Sequence, residues 1–142
     1  MKLHTASEVV SLTRLLENEI AVFYEQTGRL GKNEEVLRGF ARENRRYVLQ
    51  VQQAYNNVIS DAFEGGFAFD IEADEFKIAP PKGISFSDAI GDLISVEEKM
   101  ELLYTVAAEQ ARSLLPDVSR AFSAIARKRQ ARIERLREME NS

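Results

Sequence analysis

The 142-residue chain carries 19 Lys and Arg against 23 Asp and Glu, a net charge of -4, with 44% hydrophobic and 30% charged residues. That length fits one domain, residues 1–142, able to bury roughly two-thirds of the surface its unfolded form exposes. With no Cys there are no disulfides, CxxC redox pairs or thiolate metal sites, and the acidity argues against general nucleic-acid affinity. Met1-Lys2-Leu3-His4-Thr5 has no apolar signal core and no run is long enough to span a bilayer, so the expectation is a cytoplasmic protein without a membrane partner.

The first element is a long amphipathic helix over about 6–30. Val9, Leu12, Leu16, Ile20, Phe23, Thr27 and Leu30 recur at helical spacing, Thr5 or Ser7 caps the start, and Gly28 and Gly31 mark the end. A second helix follows over about 34–63 after Asn33, with Leu37, Phe40, Ala41, Asn44, Tyr47, Val48, Val51, Tyr55 and Ala62 on its apolar stripe, and closes at Gly65-Gly66. So short a break makes the two helices antiparallel neighbours.

Residues 65–84 lose the helical period and form a long crossover. Phe67, Phe69, Ile71, Phe76 and Ile78 alternate as if one side lay against helices, and a strand here has no evident partner. The third helix spans about 85–115 from a Ser85 or Ser87 cap, with Ala89, Ile90, Leu93, Ile94, Glu97, Met100, Tyr104, Ala107 and Ala111 inward. Pro116 suits the first turn of a fourth, about 117–139, striped by Val118, Phe122, Ile125, Ala126, Arg129, Ile133 and Leu136. These elements predict an all-α four-helix bundle of two antiparallel hairpins joined by a long crossover.

The informative feature is a repeated carboxylate. Glu17 stands seven residues before Tyr24 on the inward face of the first helix, and 80 positions on Glu97 stands seven before Tyr104 in the third. Glu-x6-Tyr in both helices, each followed by a hairpin partner carrying Phe40-Ala41 or Ile125-Ala126, resembles the rubrerythrin-like branch of the ferritin-like superfamily over all four helices. The resemblance implies one Glu from the first helix of each half and a Glu-x-x-His pair from the second, together holding two iron ions.

Carried over residue by residue, Glu17 and Glu97 match the first-helix ligands. The Glu-x-x-His positions fall on Asn44-x-x-Tyr47 and Arg129-x-x-Arg132, and sliding the register by three gives Tyr47-x-x-Gln50 or Ala126-x-x-Arg129, so both imidazoles and two carboxylates are missing in either case. The only His, His4, falls in a terminus expected to fray. Arg129 and Arg132 supply cations in place of metal, because guanidinium stays charged and forks onto carboxylates. An interior ion-pair cluster of Glu17, Asn44, Tyr47, Glu97, Arg129 and Arg132 is therefore expected, with Arg129 inward and Arg132, about 90° away on the helix, facing either the cluster or solvent. Glu17 and Glu97 as residual metal ligands are the lesser alternative, and Tyr24 and Tyr104 read as core aromatics with a satisfied hydroxyl.

Two basic strips, Arg38, Arg42, Arg45 and Arg46 on the second helix and Arg127, Lys128, Arg135 and Arg137 on the fourth, read as solvated faces, and the acidic crossover lacks the pattern of a calcium loop. No catalytic residue or cofactor is expected. The reading is a ferritin-like bundle that has lost most di-iron ligands and acts as a non-catalytic structural or interaction protein, a homodimer with no other partner evident. Its rival is a divergent di-iron or manganese oxidoreductase, peroxide-reducing or iron-handling, with unrecognised ligands.

Overall fold

The computed structural model describes residues 1–59, 68–82 and 85–141. Four helices make up the body: α1 Ala6–Gly28, α2 Glu34–Ile59, α3 Phe86–Ala111 and α4 Pro116–Glu140. They pack chiefly as two hairpins, α1 with α2 and α3 with α4, and the hairpins meet mainly through α2 and α4. The all-α four-helix bundle expected from periodicity is what the chain forms. The last turn expected of the second helix, through Ala62 and Gly65-Gly66, lies outside the described residues, as do Phe67 and Gly83.

Local chemistry sets the helix ends. Thr5 is the N-cap of α1: its side chain accepts from the Glu8 N–H at 3.2 Å while the Glu8 carboxylate accepts from the Thr5 N–H at 3.1 Å, a reciprocal box that satisfies two otherwise unpaired donors. Ser85 caps α3 by accepting from the Asp88 N–H at 3.1 Å. The third helix stops at Ala111, four residues earlier than expected, because Pro116 clashes with an α conformation at the residue before it, and Leu115 sits at φ -134 and ψ 64. Leu30, counted in the apolar stripe of the first helix, falls past the end of α1 and is 52% exposed.

The crossover does find a strand partner. β1 (Lys2–Leu3) pairs antiparallel with β2 (Ile71–Glu72), Lys2 opposite Glu72 and Leu3 opposite Ile71. The Phe69 N–H donates to the His4 carbonyl at 3.1 Å, so the segment expected to fray is tied down over the bundle. A 3-10 turn at Ala73–Phe76 follows, and Phe69, Ile71 and Phe76 are buried while Ile78 is half-buried, which accounts for their alternation. No helix among the described residues is long and apolar enough to cross a membrane.

At one end of the bundle the turn after α1 abuts the start of α3. A Cβ on Gly31 would come within 2.5 Å of the Phe86 ring, so this close approach needs glycine. Gly31→Ala is expected to lower stability by about 1–2 kcal/mol through overpacking, and to cost markedly less in a Phe86→Ala background. Chemical denaturation of the double-mutant cycle checks it, and additive effects would mean that the two residues do not touch in solution.

Candidate functional site

Helical spacing brings the charged residues together. Glu17 and Tyr24 in α1, Glu97 and Tyr104 in α3, Asn44 and Tyr47 in α2, and Arg129 and Arg132 in α4 all face the bundle interior and are buried; Glu17, Asn44, Glu97 and Arg129 are 0% exposed. Arg129 is the centre. Its two terminal nitrogens fork onto both oxygens of Glu17, and its Nε donates to Glu97 Oε1 at 2.7 Å. This single side chain joins α4 to both α1 and α3.

The tyrosines complete the carboxylates crosswise. Tyr104 donates to Glu17 Oε2 at 2.7 Å, and Tyr24 donates to Glu97 Oε2, so each helix supplies the hydroxyl for the other helix's carboxylate. This exchange requires α1 and α3 to run antiparallel. Arg132, left open by its angle on the helix, turns inward. Its Nη1 donates to Glu97 Oε2 at 2.9 Å and to Asn44 Oδ1, and its Nη2 donates to Glu43 Oε1 at 3.0 Å and, at 3.4 Å each, to the Tyr47 hydroxyl and the Phe40 carbonyl. The guanidinium carbon stands 4.7 Å from the Phe40 ring centre and 5.2 Å from that of Tyr24, within the range where aromatic faces attract a cation. Asn44 Nδ2 and Arg132 Nε are buried donors without a hydrogen-bond partner among the described residues.

All six residues expected at the cluster thus lie in one buried network, to which the structure adds Tyr24, Tyr104 and, from the rim, Glu43. Glu43 lies off the apolar stripe of α2, with its side chain 42% exposed, and only the length of Arg132 reaches it, so no periodicity in the sequence marks it.

Electrostatics follow from this arrangement. Burial alone would raise the pKa of Glu97, but the charges of Arg129 and Arg132 and the Tyr24 hydroxyl outweigh it and hold the carboxyl at about 2, against an ordinary 4.5. Burial, reinforced by the neighbouring carboxylates, keeps the phenols of Tyr24 and Tyr104 protonated well above 10, and therefore as donors. The guanidinium of Arg129 loses solvation on burial, yet Glu17 and Glu97 more than compensate and raise its pKa further. Two carboxylates and two guanidiniums balance at the centre.

The donor set does not suit a metal. Every oxygen of Glu17 and Glu97 already accepts from an arginine or tyrosine. A divalent ion would have to displace these donors while lying beside two fixed cations. Among the described residues no group of three or more His, Asp or Glu side chains is placed to hold a metal ion.

The two hairpins also share a sequence pattern beyond Glu-x6-Tyr. Val36, Arg38, Phe40 and Arg45 of α2 recur 82 positions on as Val118, Arg120, Phe122 and Arg127 of α4. The structure respects this correspondence: Tyr24 meets Phe40 edge-on at 5.5 Å and 69°, and Tyr104 meets Phe122 at 5.6 Å and 66°. In that register Arg129-x-x-Arg132 corresponds to Tyr47-x-x-Gln50, so Asn44-x-x-Tyr47 and Arg129-x-x-Arg132 are not equivalent positions of the two halves. The Arg-x-Phe spacing carried the signal.

Compared with family models, with curated proteins and with solved structures, the chain finds no significant match in any of the three.

Two outcomes follow for stability. Arg129→Ala strands two buried carboxylates and is expected to cost about 3 kcal/mol or more, and adding Glu17→Gln with Glu97→Gln should recover much of it; a loss no larger than that of an exposed Arg→Ala would mean the cluster does not form in solution. The contribution of Glu97, whose folded pKa is depressed, is complete above pH ~4.5 and is lost as pH falls through about 2. The raised phenols act in the opposite direction: the folded state resists their ionisation, so stability held below pH 10 declines above it. Urea midpoints against pH should show a plateau between these limits, and Tyr24→Phe with Tyr104→Phe should extend its alkaline edge.

Proposed function

We propose that this protein is a rubrerythrin-like, ferritin-like bundle in which arginines have taken the place of the di-iron centre, acting as a non-catalytic structural or interaction protein, assembled as a homodimer in the cytoplasm. The observation that carries the reading is the complete occupation of both inward carboxylates by guanidinium and phenol donors. Each of these carboxylates accepts three hydrogen bonds, with both of its oxygens engaged, so a metal ion would have to compete with guanidinium and phenol donors. The phenols, held neutral by burial, serve as hydrogen-bond donors rather than as acids at physiological pH. Four of the six positions that hold a metal pair in the resembling family, Glu17, Glu97, Arg129 and Arg132, form a charge-balanced ion-pair cluster here, which preserves the bundle without redox chemistry.

Protein expressed with iron and manganese supplied, then dialysed against a chelator, is expected to retain neither metal and to show no peroxidase or ferroxidase activity. Near-stoichiometric iron or manganese would sink the reading. Descent from a metal-binding scaffold is tested separately by restoring ligands in the internal register, Tyr47→Glu, Gln50→His, Arg129→Glu and Arg132→His, with Glu17 and Glu97 kept. The apo variant should be weakly stable through carboxylate repulsion, and its Tm should rise with added ferrous or manganous ion, because a ligand bound only by the folded state stabilises it. A folded variant whose Tm ignores both ions would show that these positions do not converge as the resemblance implies.

A further inference from the structure

Outside the core, each hairpin carries a surface cleft at positions related by the internal repeat. In the first hairpin Glu25 projects among Arg29, Arg38 and Arg45. Arg45 forks onto it with both contacts at 3.0 Å, and this hydrogen bonding, opposed by slight burial and helped by the charges of Arg45, Arg29 and Arg38, lowers the pKa of its carboxyl. The cleft therefore holds a carboxylate, supplied by its own chain.

The second hairpin keeps the arginines but has no carboxylate at the position equivalent to Glu25. Arg120 and Arg127 correspond to Arg38 and Arg45, and Arg112 is the C-cap of α3 as Arg29 is of α1. In the register that matches Glu17 with Glu97, however, Glu25 corresponds to Thr105. Thr105 lines a cleft of about 270 Å³ together with Glu109, Arg112, Ser119, Ser123, Arg127 and Gln130. The acidic groups in and beside the cleft are already engaged: Glu109 pairs with Arg112 at 2.9 Å, Asp117 pairs with Arg120, and Glu101 accepts from Gln130 Nε2 at 3.0 Å. Arg127 has no ion-pair partner among the described residues, and it stands where Arg45 grips Glu25.

We propose that the α3–α4 cleft beside Arg127 is a binding site for an external carboxylate, which takes the place that Glu25 occupies in the first hairpin. The guanidinium supplies the fork, and the hydroxyls of Thr105 and Ser123 line the same cleft and offer neutral donors. The carboxylate comes either from an acidic segment of a polypeptide or from a free small acid, and the chemistry of recognition is common to both. This inference does not depend on the fate of the metal centre.

The full chain would be titrated with an acetylated, amidated tri-glutamate peptide and, separately, with succinate, followed by calorimetry and by backbone amide shifts. At least one probe is expected to bind saturably, with shifts centred on Thr105, Ser123 and Arg127 and with affinity falling as salt is added. Preference for the peptide assigns the carboxylate to a polypeptide; preference for succinate assigns it to a free acid. Arg127→Ala and Thr105→Glu, both at exposed positions, should each weaken binding by about tenfold or more, the second by restoring an internal carboxylate, and Glu25→Thr should create equivalent binding beside Arg45. Binding by neither probe, or binding undiminished by Thr105→Glu, would overturn the proposal.

Discussion

Arg129 is the constraint on which the rest of the bundle depends. Its guanidinium lies fully out of water between Glu17 and Glu97, where removing solvation from three charges costs several kcal/mol per ion unless geometry compensates. Compensation here comes from a two-pronged fork on Glu17, a single bond to Glu97 and one tyrosine on each carboxylate. Contacts within each hairpin are far more extensive than those between α1 and α3, so this network sets how the first helices of the two hairpins register on each other. A slip of one helical turn between α1 and α3 would break both crossed Tyr–Glu bonds at once. Apolar packing alone penalises such a slip less sharply, because neighbouring hydrophobic residues substitute for one another.

Charge balance explains why a molecule built of two similar hairpins is asymmetric at its middle. Each half provides a Glu and a Tyr, but both arginines come from α4, while the corresponding positions of α2 hold Tyr47 and Gln50. Two more guanidiniums at those positions would leave a buried excess of positive charge with no carboxylates to meet it. With one set the centre is neutral, and the first hairpin contributes instead the Asn44 carbonyl, the Tyr47 hydroxyl and the rings of Tyr24 and Phe40 that receive Arg132. The half-exposed Glu43 completes that shell from the rim.

Much of this was legible in the sequence because helical periodicity is a strong signal over elements of 23 to 26 residues. It placed Glu17 and Glu97 inward and put Arg129 mid-stripe between Ala126 and Ile133. Arg132 was ambiguous for a physical reason: its backbone position lies to the side of the stripe, and only a long side chain lets the charge curl back to Glu97. The β1–β2 pairing could not be read, since two residues per strand leave no alternation and the partner lies about seventy residues away. The repeat linking α2 and α4 is marked by Arg-x-Phe, which places an aromatic ring against each tyrosine, and not by Glu-x-x-His, which neither helix carries.

The same fork of arginine on carboxylate occurs at two depths in this molecule, and depth decides what each can do. Arg129 and Glu17 are entirely excluded from water, so their attraction is weakly screened and neither can be removed without stranding the other. Arg45 and Glu25 retain 47% and 37% of their side-chain exposure, and an ion pair so situated contributes at most about 1 kcal/mol to folding. A pair that adds little to stability can lose its carboxylate without unfolding the chain, as the replacement of Glu25 by Thr105 in the second hairpin illustrates. The buried arginines are therefore fixed by the fold, whereas the fold does not depend on which carboxylate a surface arginine meets.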